Sequence, residues 1–303
     1  MATFGYWKNM NKHMANRSKA MNAVSIGLLA AGFIAALPHA ALAQSQPQAG
    51  DGVDRLTVHL SDPTRPGSVK ANLLNGSITV KTYDGKDIKL EARAGDWGPM
   101  PGEEPPHPGM HRFSVGTTGL TADEENNEVD VTTDSVFRFV DLTLTVPVRT
   151  SLSLRTVNGG GISVSGVDGD VDATVVNGPI TLTDISGSTV AHSINGHLTA
   201  TFTHLNPSKP IAFSSMNGDI DVTFPPDAKA TFSLHSQRGG VYSDFDIQFT
   251  NSQGEPAVES SGDHGKYHLR VGGGVYATIN GGGDSVQLNN FNGNIYIHKA
   301  GAH

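Results

Sequence analysis

From Val157 to Phe224 apolar and polar residues alternate in short runs, and an Asn-Gly pair stands at the same place before each run. The pairs begin at Asn158, Asn177, Asn195 and Asn217, in steps of 19, 18 and 22 residues. Val157, Val176, Ile194 and Met216 precede them. Ile162, Ile180, Leu198 and Ile220 are the first apolar residues after them, and Val164, Leu182, Ala200 and Val222 follow two positions on. Matching columns at a near-constant period mark an internal repeat. Asparagine followed by glycine tolerates positive φ at little cost, so the pair turns the chain tightly. Alternation after the turn puts Ile180 and Leu182 on one face and Thr181 and Thr183 on the other. One such strand cannot bury its apolar face alone, whereas stacked neighbours bury a continuous column. Asp168-Gly169 and Ser186-Gly187 punctuate the repeat again, so each coil is expected to hold at least two short strands.

The pattern extends both ways. Leu56, Val58 and Leu60 alternate, and Asn75-Gly76 is followed by Ile78 and Val80 at the repeat offsets. Strands are expected around Ile88 to Ala92 and Val129 to Val131. Phe137 to Thr145 reads as a strand whose phase slips between Phe139 and Leu142, which predicts a bulge. After Val146-Pro147, Leu152 and Leu154 resume. An echo follows in Val222, Phe224, Pro225-Pro226, Phe232 and Leu234, with Arg238-Gly239 where Asn-Gly stood. Residues 251–265 read as an exposed loop. Asn280-Gly281 and Asn292-Gly293 close the chain, the latter followed by Ile295 and Ile297. The structural turns expected are therefore Asn75, Gly76, Asn158, Gly159, Asn177, Gly178, Asn195, Gly196, Asn217, Gly218, Asn280, Gly281, Asn292 and Gly293. The fold class is all-β: a β-solenoid of short stacked strands. Turn signals every roughly 8 to 12 residues also suit an antiparallel β-sandwich, which stays the alternative.

Upstream of the strands the pattern changes. Lys8, Lys12, Arg17 and Lys19 precede an apolar run from Val24 to Leu37, and Ala41-Leu42-Ala43 has the small-x-small form of a cleavage site. Residues 1–43 read as a signal peptide cut after Ala43. The run of 14 residues is shorter than the roughly 20 that a spanning helix needs. The long leader points to Met14 or Met21 as the start. Residues 44–52 read as a linker and 53–303 as one solenoid domain, irregular over 53–150 and repetitive over 151–299.

Charge and composition then exclude partners. Losing four basic leader residues takes the formal charge from −8 to −12. A chain this acidic is a poor match for nucleic acid or an anionic lipid surface. It has no cysteine, hence no disulfide framework and no thiol chemistry. Its 36 glycines among 303 residues exceed the usual ~7% and fit a turn-rich β protein.

The Val-Pro step before a strand, the Asn-Gly-x-Ile/Leu-x-Val series, the Phe-Pro-Pro step and the closing Gly-rich Asn-Gly unit resemble a bacterial putative adhesin family of the DUF4097 type, a domain of unknown function. The resemblance covers roughly Val53 to Lys299. It implies a right-handed β-solenoid and an envelope or surface location, and it carries no catalytic residues.

Candidate chemistry is sparse. Asp168, Asp170 and Asp172 alternate and would share one strand face as weak calcium candidates. Calcium wants roughly six to eight oxygens, so a solvated polar face is the plainer reading. An EF-type loop would put Ala173 and Pro179 where Gly and Glu are needed. Gly281-Gly282-Gly283-Asp284 looks like a calcium-binding solenoid repeat but occurs once. His107 with His111, and His264 with His268, have ligand-like spacing; on a strand, four residues span about 13 Å, too far for one zinc ion. No Gly-x-Ser-x-Gly is present. Trp97, beside the Pro-rich stretch Gly95 to Arg112, reads as an aromatic plug over one end of the core rather than a sugar or partner contact. An acidic cluster follows at Asp123, Glu124, Glu125 and Glu128. The expected protein is an exported, non-enzymatic envelope or surface protein, periplasmic or extracellular, acting as scaffold or adhesin-like binding module, with a link to envelope stress. It needs no cofactor and no metal. Its partner is an envelope protein or polymer; nucleic acid and stable membrane insertion after cleavage are not expected. A β-helix polysaccharide lyase or hydrolase is the alternative.

Overall fold

The computed structural model describes residues 53–95, 118–133, 139–205, 209–250, 257–259, 267–270 and 275–301. The leader with Ala43, the linker, Trp97, His107, His111, Phe137 and His264 lie outside the described residues, as does most of 251–265. His268 is described for its backbone only.

Among the described residues the chain forms strands and no helix. In order these are β1 (Val53–Val58), β2 (Ser68–Tyr83), β3 (Ile88–Ala94), β4 (Leu120–Glu125), β5 (Glu128–Thr133), β6 (Val140–Pro147) and β7 (Ser151–Ser165). Next come β8 (Val171–Asn177), β9 (Ile180–Ile185), β10 (Thr189–Asn195), β11 (Leu198–Phe202), β12 (Ile211–Asn217) and β13 (Ile220–Phe224). The last are β14 (Ala230–Arg238), β15 (Val241–Ser243), β16 (Gln248–Thr250), β17 (Ala257–Glu259), β18 (Tyr267–Arg270), β19 (Val275–Ile279), β20 (Asp284–Asn292) and β21 (Ile295–Lys299).

The strands stack in two parallel columns, which makes the fold a β-solenoid. The first column runs β5, the start of β2, the start of β7, β8, β10, β12, β20 and β14. The second runs β6, the rest of β2 and of β7, then β9, β11, β13, β21 and β15. A sandwich of antiparallel strands is thereby excluded: coils of like length and like corner stack like on like. Antiparallel strands occur only at the ends. There β4, β3 and β1 cover one terminus, and β19, β16, β18 and β17 the other. They protect edges that would otherwise pair with another chain.

The stack does not follow chain order at either end. The coil 68–83 lies between 128–147 and 151–165. The coil 284–299 lies between 211–224 and 230–243, so the last strands complete the middle of a stack already begun.

Inside, the register follows the repeat columns. Ile78, Ile162, Ile180, Leu198, Ile220 and Ile295 pair in succession, and all are buried. Phe202 stacks on Phe224 at 5.3 Å between centroids, and Phe224 meets Phe232 edge-on at 5.7 Å. A second inward row is polar. Thr156, Ser193, Ser215 and Ser236 each donate a hydroxyl to the carbonyl of a corner glycine in an adjoining coil, at 3.2 to 3.5 Å. Buried corner carbonyls, which turn away from the ladders, gain partners in this way.

Two expectations need correction. In β6 the buried residues Val140, Leu142, Leu144 and Val146 alternate without a slip, and the register with β2 and β3 is unbroken. Phe139 precedes the strand, where its carbonyl accepts from the Gly95 N–H. The second concerns the Asn-Gly corners. Gly76, Gly159, Gly178, Gly218 and Gly293 have φ from +139° to +146°, but none of the asparagines before them has positive φ. The glycine alone makes the corner; in β2 and β7 the pair falls within a continuous strand, and the β2–β7 register shifts just after Asn75. Asn280 differs, with φ 50°, and makes a true turn with Gly281 between β19 and β20.

Candidate ligand-binding cleft

The corner residues form two surface rows. The asparagine amides make a ladder in which each Nδ2 donates to the Oδ1 of a neighbouring coil: Asn158 to Asn75, Asn177 to Asn158, Asn195 to Asn177, Asn217 to Asn195 and Asn292 to Asn217, at 2.8 to 3.2 Å. Arg238 pairs with Asn292 in register and takes the next place, as its sequence position suggested. Beside the ladder the preceding residues face outward: Leu74, Ile194, Met216 and Phe291 are 40% to 52% exposed.

The calcium candidates are not gathered into a site. Asp168 and Asp170 precede β8 and only Asp172 lies in it. Asp168 accepts from Ser186 Oγ at 2.7 Å, while Asp170 is ion-paired with Lys209 at 2.6 Å. No group of three or more His, Asp or Glu side chains among the described residues is placed to hold a metal ion. In the acidic cluster Glu124 is a brace. Burial acts to raise its pKa, but hydrogen bonds from the Ser61 hydroxyl and the Ser61 and Asn127 N–H groups outweigh that and hold it below the ordinary value. Asp284 begins β20, and burial pushes its carboxyl up.

The densest convergence of chemistry lies on the outer face of the second column, across β13, β21 and β15. Asp221, Tyr296 and Tyr242 stand in register on these three strands, and Thr223 stands beside His298. The Tyr242 and Tyr296 rings stack at 5.2 Å and 17°, and the His298 ring lies parallel to Tyr296 at 6.1 Å and 5°. Alternation forces this arrangement, since Ile295 and Ile297, on either side of Tyr296, point into the core. His298 joins two carboxylates: Nε2 is 3.6 Å from Asp221 Oδ2, and Nδ1 is 3.4 Å from Asp244 Oδ2. Asp244 is fixed from below by the Lys299 N–H, 2.6 Å from Oδ1. Asn294 Nδ2 donates to the Tyr296 hydroxyl at 2.9 Å. Asp221, Tyr242, Ser243, Asp244, Tyr296 and His298 line a cleft of about 350 Å³.

Among the described residues of the cleft, the serine hydroxyl is already engaged. Ser243, on the cleft wall, donates its hydroxyl to the Ile297 carbonyl at 3.0 Å and accepts from the Phe245 N–H. What remains is ring surface next to half-exposed hydrogen-bonding groups, an arrangement suited to holding a ligand. A hollow of about 390 Å³ near the other end, beside Arg65, Tyr83 and Arg149, is less convergent, and its Arg65 is bound to Asp62 at 2.8 Å.

The sequence reading did not single out the cleft residues, although the signal was there. Ser163, Thr181, Thr199, Asp221, Tyr296 and Tyr242 occupy one repeat position, directly after the first apolar residue of each unit. The change from hydroxyl to acid to aromatic along that column marks the site.

Stacked parallel coils with glycine corners define a β-solenoid. Residues 168–274 match the family model described as Toastrack DUF4097, in agreement with the resemblance carried by the Asn-Gly units. Two solved structures are similar. A putative cell adhesion protein from Clostridium sporogenes ATCC 15579 is 10% identical with a TM-score of 0.37, over 82% of this chain and 99% of that one. A putative adhesin from Bacteroides fragilis NCTC 9343 is 12% identical with a TM-score of 0.33, over 82% and 98%. No curated protein matches the chain.

Proposed function

We propose that the chain is an exported, non-enzymatic binding module of the cell envelope and that the Tyr242–Tyr296–His298 cleft is its contact site. The observation that carries this is the stacked Tyr242–Tyr296 pair, flanked by Asp221 and Asp244, at the end of a row of Ser163, Thr181 and Thr199. Stacked rings beside carboxylates offer apolar surface and orientation together. Export rests on the leader pattern, and the envelope location on the family resemblance; a link to envelope stress belongs to the same reading. The test is co-sedimentation of the purified exported chain with envelopes of the producing cell. Wild type is expected to pellet with them and Tyr296→Ala to stay in solution while keeping its melting temperature. Equal pelleting of the two would remove the cleft from the function.

A further inference from the structure

Resting on that reading of the cleft, we infer that its ligand is a β-linked pyranose chain, one sugar unit seated in the cleft and the rest lying along the adjoining hydroxyl row. The row is continuous: Ser163, Thr181, Thr199 and Asp221 are in successive register and lead into Tyr296 and then Tyr242. Each of the four is at least partly exposed.

Three features select this class. The first is mixed chemistry. A pyranose unit has an apolar C–H surface and a polar hydroxyl edge, and the cleft offers tyrosine ring surface beside Asp221 and His298, which are 41% and 43% exposed. A volume of about 350 Å³ lies at the lower end of the roughly 300–1,000 Å³ of small-molecule sites, enough for a sugar unit and too little for a protein element.

The second is that the described residues around the cleft form no apolar centre. A protein partner would seek a buried hydrophobic core with a polar rim. On the β11 side, the described residues beside the cleft are Thr199, Thr201 and Thr223, whose hydroxyls both donate and accept. A polyol can hydrogen-bond to these hydroxyls and to the Asp221 and Asp244 carboxylates without bringing a charge of its own to be desolvated.

The third is spacing. Parallel strands repeat at roughly 4.8 Å, so the row presents one hydroxyl residue per step. An extended β-linked hexose chain advances by a comparable step per unit, so it can repeat its contacts from coil to coil.

The test is calorimetric titration of the full exported chain with cellohexaose and with chitohexaose, which differ in the 2-substituent. At least one is expected to bind at roughly millimolar concentration or better. Tyr296→Ala is expected to weaken it by about tenfold or more, as loss of an aromatic anchor does, and Tyr296→Phe to retain it. Thr199→Val is expected to weaken it several-fold. His192→Ala, on the first column, should leave it unchanged. Failure of both hexasaccharides to bind overturns the proposal, as does equal binding by Tyr296→Ala. If Tyr296→Ala abolishes envelope binding but neither sugar competes for it, the cleft remains the contact site and the glycan assignment falls. If envelope binding ignores Tyr296→Ala, the functional reading itself falls.

Discussion

The side-chain amide of Asn177 donates to Oδ1 of Asn158 at 2.8 Å, although 19 residues separate them. Asn195 continues the line by donating to Asn177 at the same distance. An interior ladder residue thus takes part in two hydrogen bonds, and Asn75, at the described end, receives one such bond from Asn158. The ladder is exposed, so each bond competes with water.

Asn177→Ala is expected to destabilise by about 1 kcal/mol, the range for net loss of weakly buried hydrogen bonds. Gly196→Ala should cost several-fold more. Its Cβ would stand 2.0 Å from the Gly178 carbonyl oxygen, a backbone atom with no room to move. Gly281→Ala is the control, for nothing lies within 4 Å of its Cβ and only its φ of +88° opposes the change. Urea unfolding should rank the three as Gly196→Ala worst and the other two mild, near 1–2 kcal/mol.

The buried column makes a contrasting pair. Leu182 is fully buried between Val164 and Ala200, whereas Thr181 faces outward between Ser163 and Thr199. Leu182→Ala should cost about 2–5 kcal/mol, and Thr181→Ala under about 0.5 kcal/mol. Hydrogen exchange in the Leu182→Ala variant should rise first around Val164 and Ala200, because neighbouring coils share each interface. Equal losses from the two substitutions would mean the strand phase is wrong.

That pairing was legible in the sequence because the inward positions Ile162, Ile180, Leu198 and Ile220 keep their character through every unit. Column membership says nothing of coil order, however. Asn75 and Asn292 read as turns of the same repeat, but nothing in their spacing shows that 68–83 inserts beside 151–165, or 284–299 beside 211–224. The inward row of Thr156, Ser193 and Ser215 was equally hidden: hydroxyls in alternation look like solvent positions until the corner carbonyls they bind are seen. The cleft escaped for another reason. Tyr242 and Tyr296 depart from the column that defines the repeat, and a search for likeness passes over departures.

A pH prediction follows from Asp284. Burial raises its carboxyl above the ordinary value, so the folded chain holds this proton more tightly than the unfolded chain. Linkage then makes the fold most favoured, as far as this group is concerned, below the ordinary carboxylate pKa. That advantage is lost as pH rises through the ordinary value to the raised folded one. Asp284→Asn removes the buried charge at neutral pH and is expected to raise the melting temperature there. The gain should shrink towards zero in acid, where wild-type Asp284 is itself neutral. A gain that stayed constant with pH would assign it to packing.

The interleaved end of the stack gives the last test. In a solenoid wound in chain order, removing the final coil uncovers one interface. Here β20 and β21 are paired on both sides, with β12 and β13 in one direction and β14 and β15 in the other. Val286, Leu288, Ile295 and Ile297 are all fully buried. At about 1.5–3 kcal/mol for each buried aliphatic side chain, their loss rivals the roughly 5–15 kcal/mol that holds a domain folded. It would also bare Ile220, Val222, Phe232 and Leu234 on the neighbouring coils. A chain ending before Asp284 is therefore expected to lose its cooperative thermal transition. Deleting β1 is the comparison, since among the described strands it pairs in the sheet with β3 alone, at an edge. That variant should unfold cooperatively at a modestly lower temperature. The peptide 284–303, added to the shortened chain, should restore β-sheet circular dichroism by entering the vacant slot between β12 and β14. Mutating Leu288 to Asp in the peptide should abolish the rescue. Cooperative unfolding of the shortened chain near the wild-type temperature would show that the closing coil lies outside the stack.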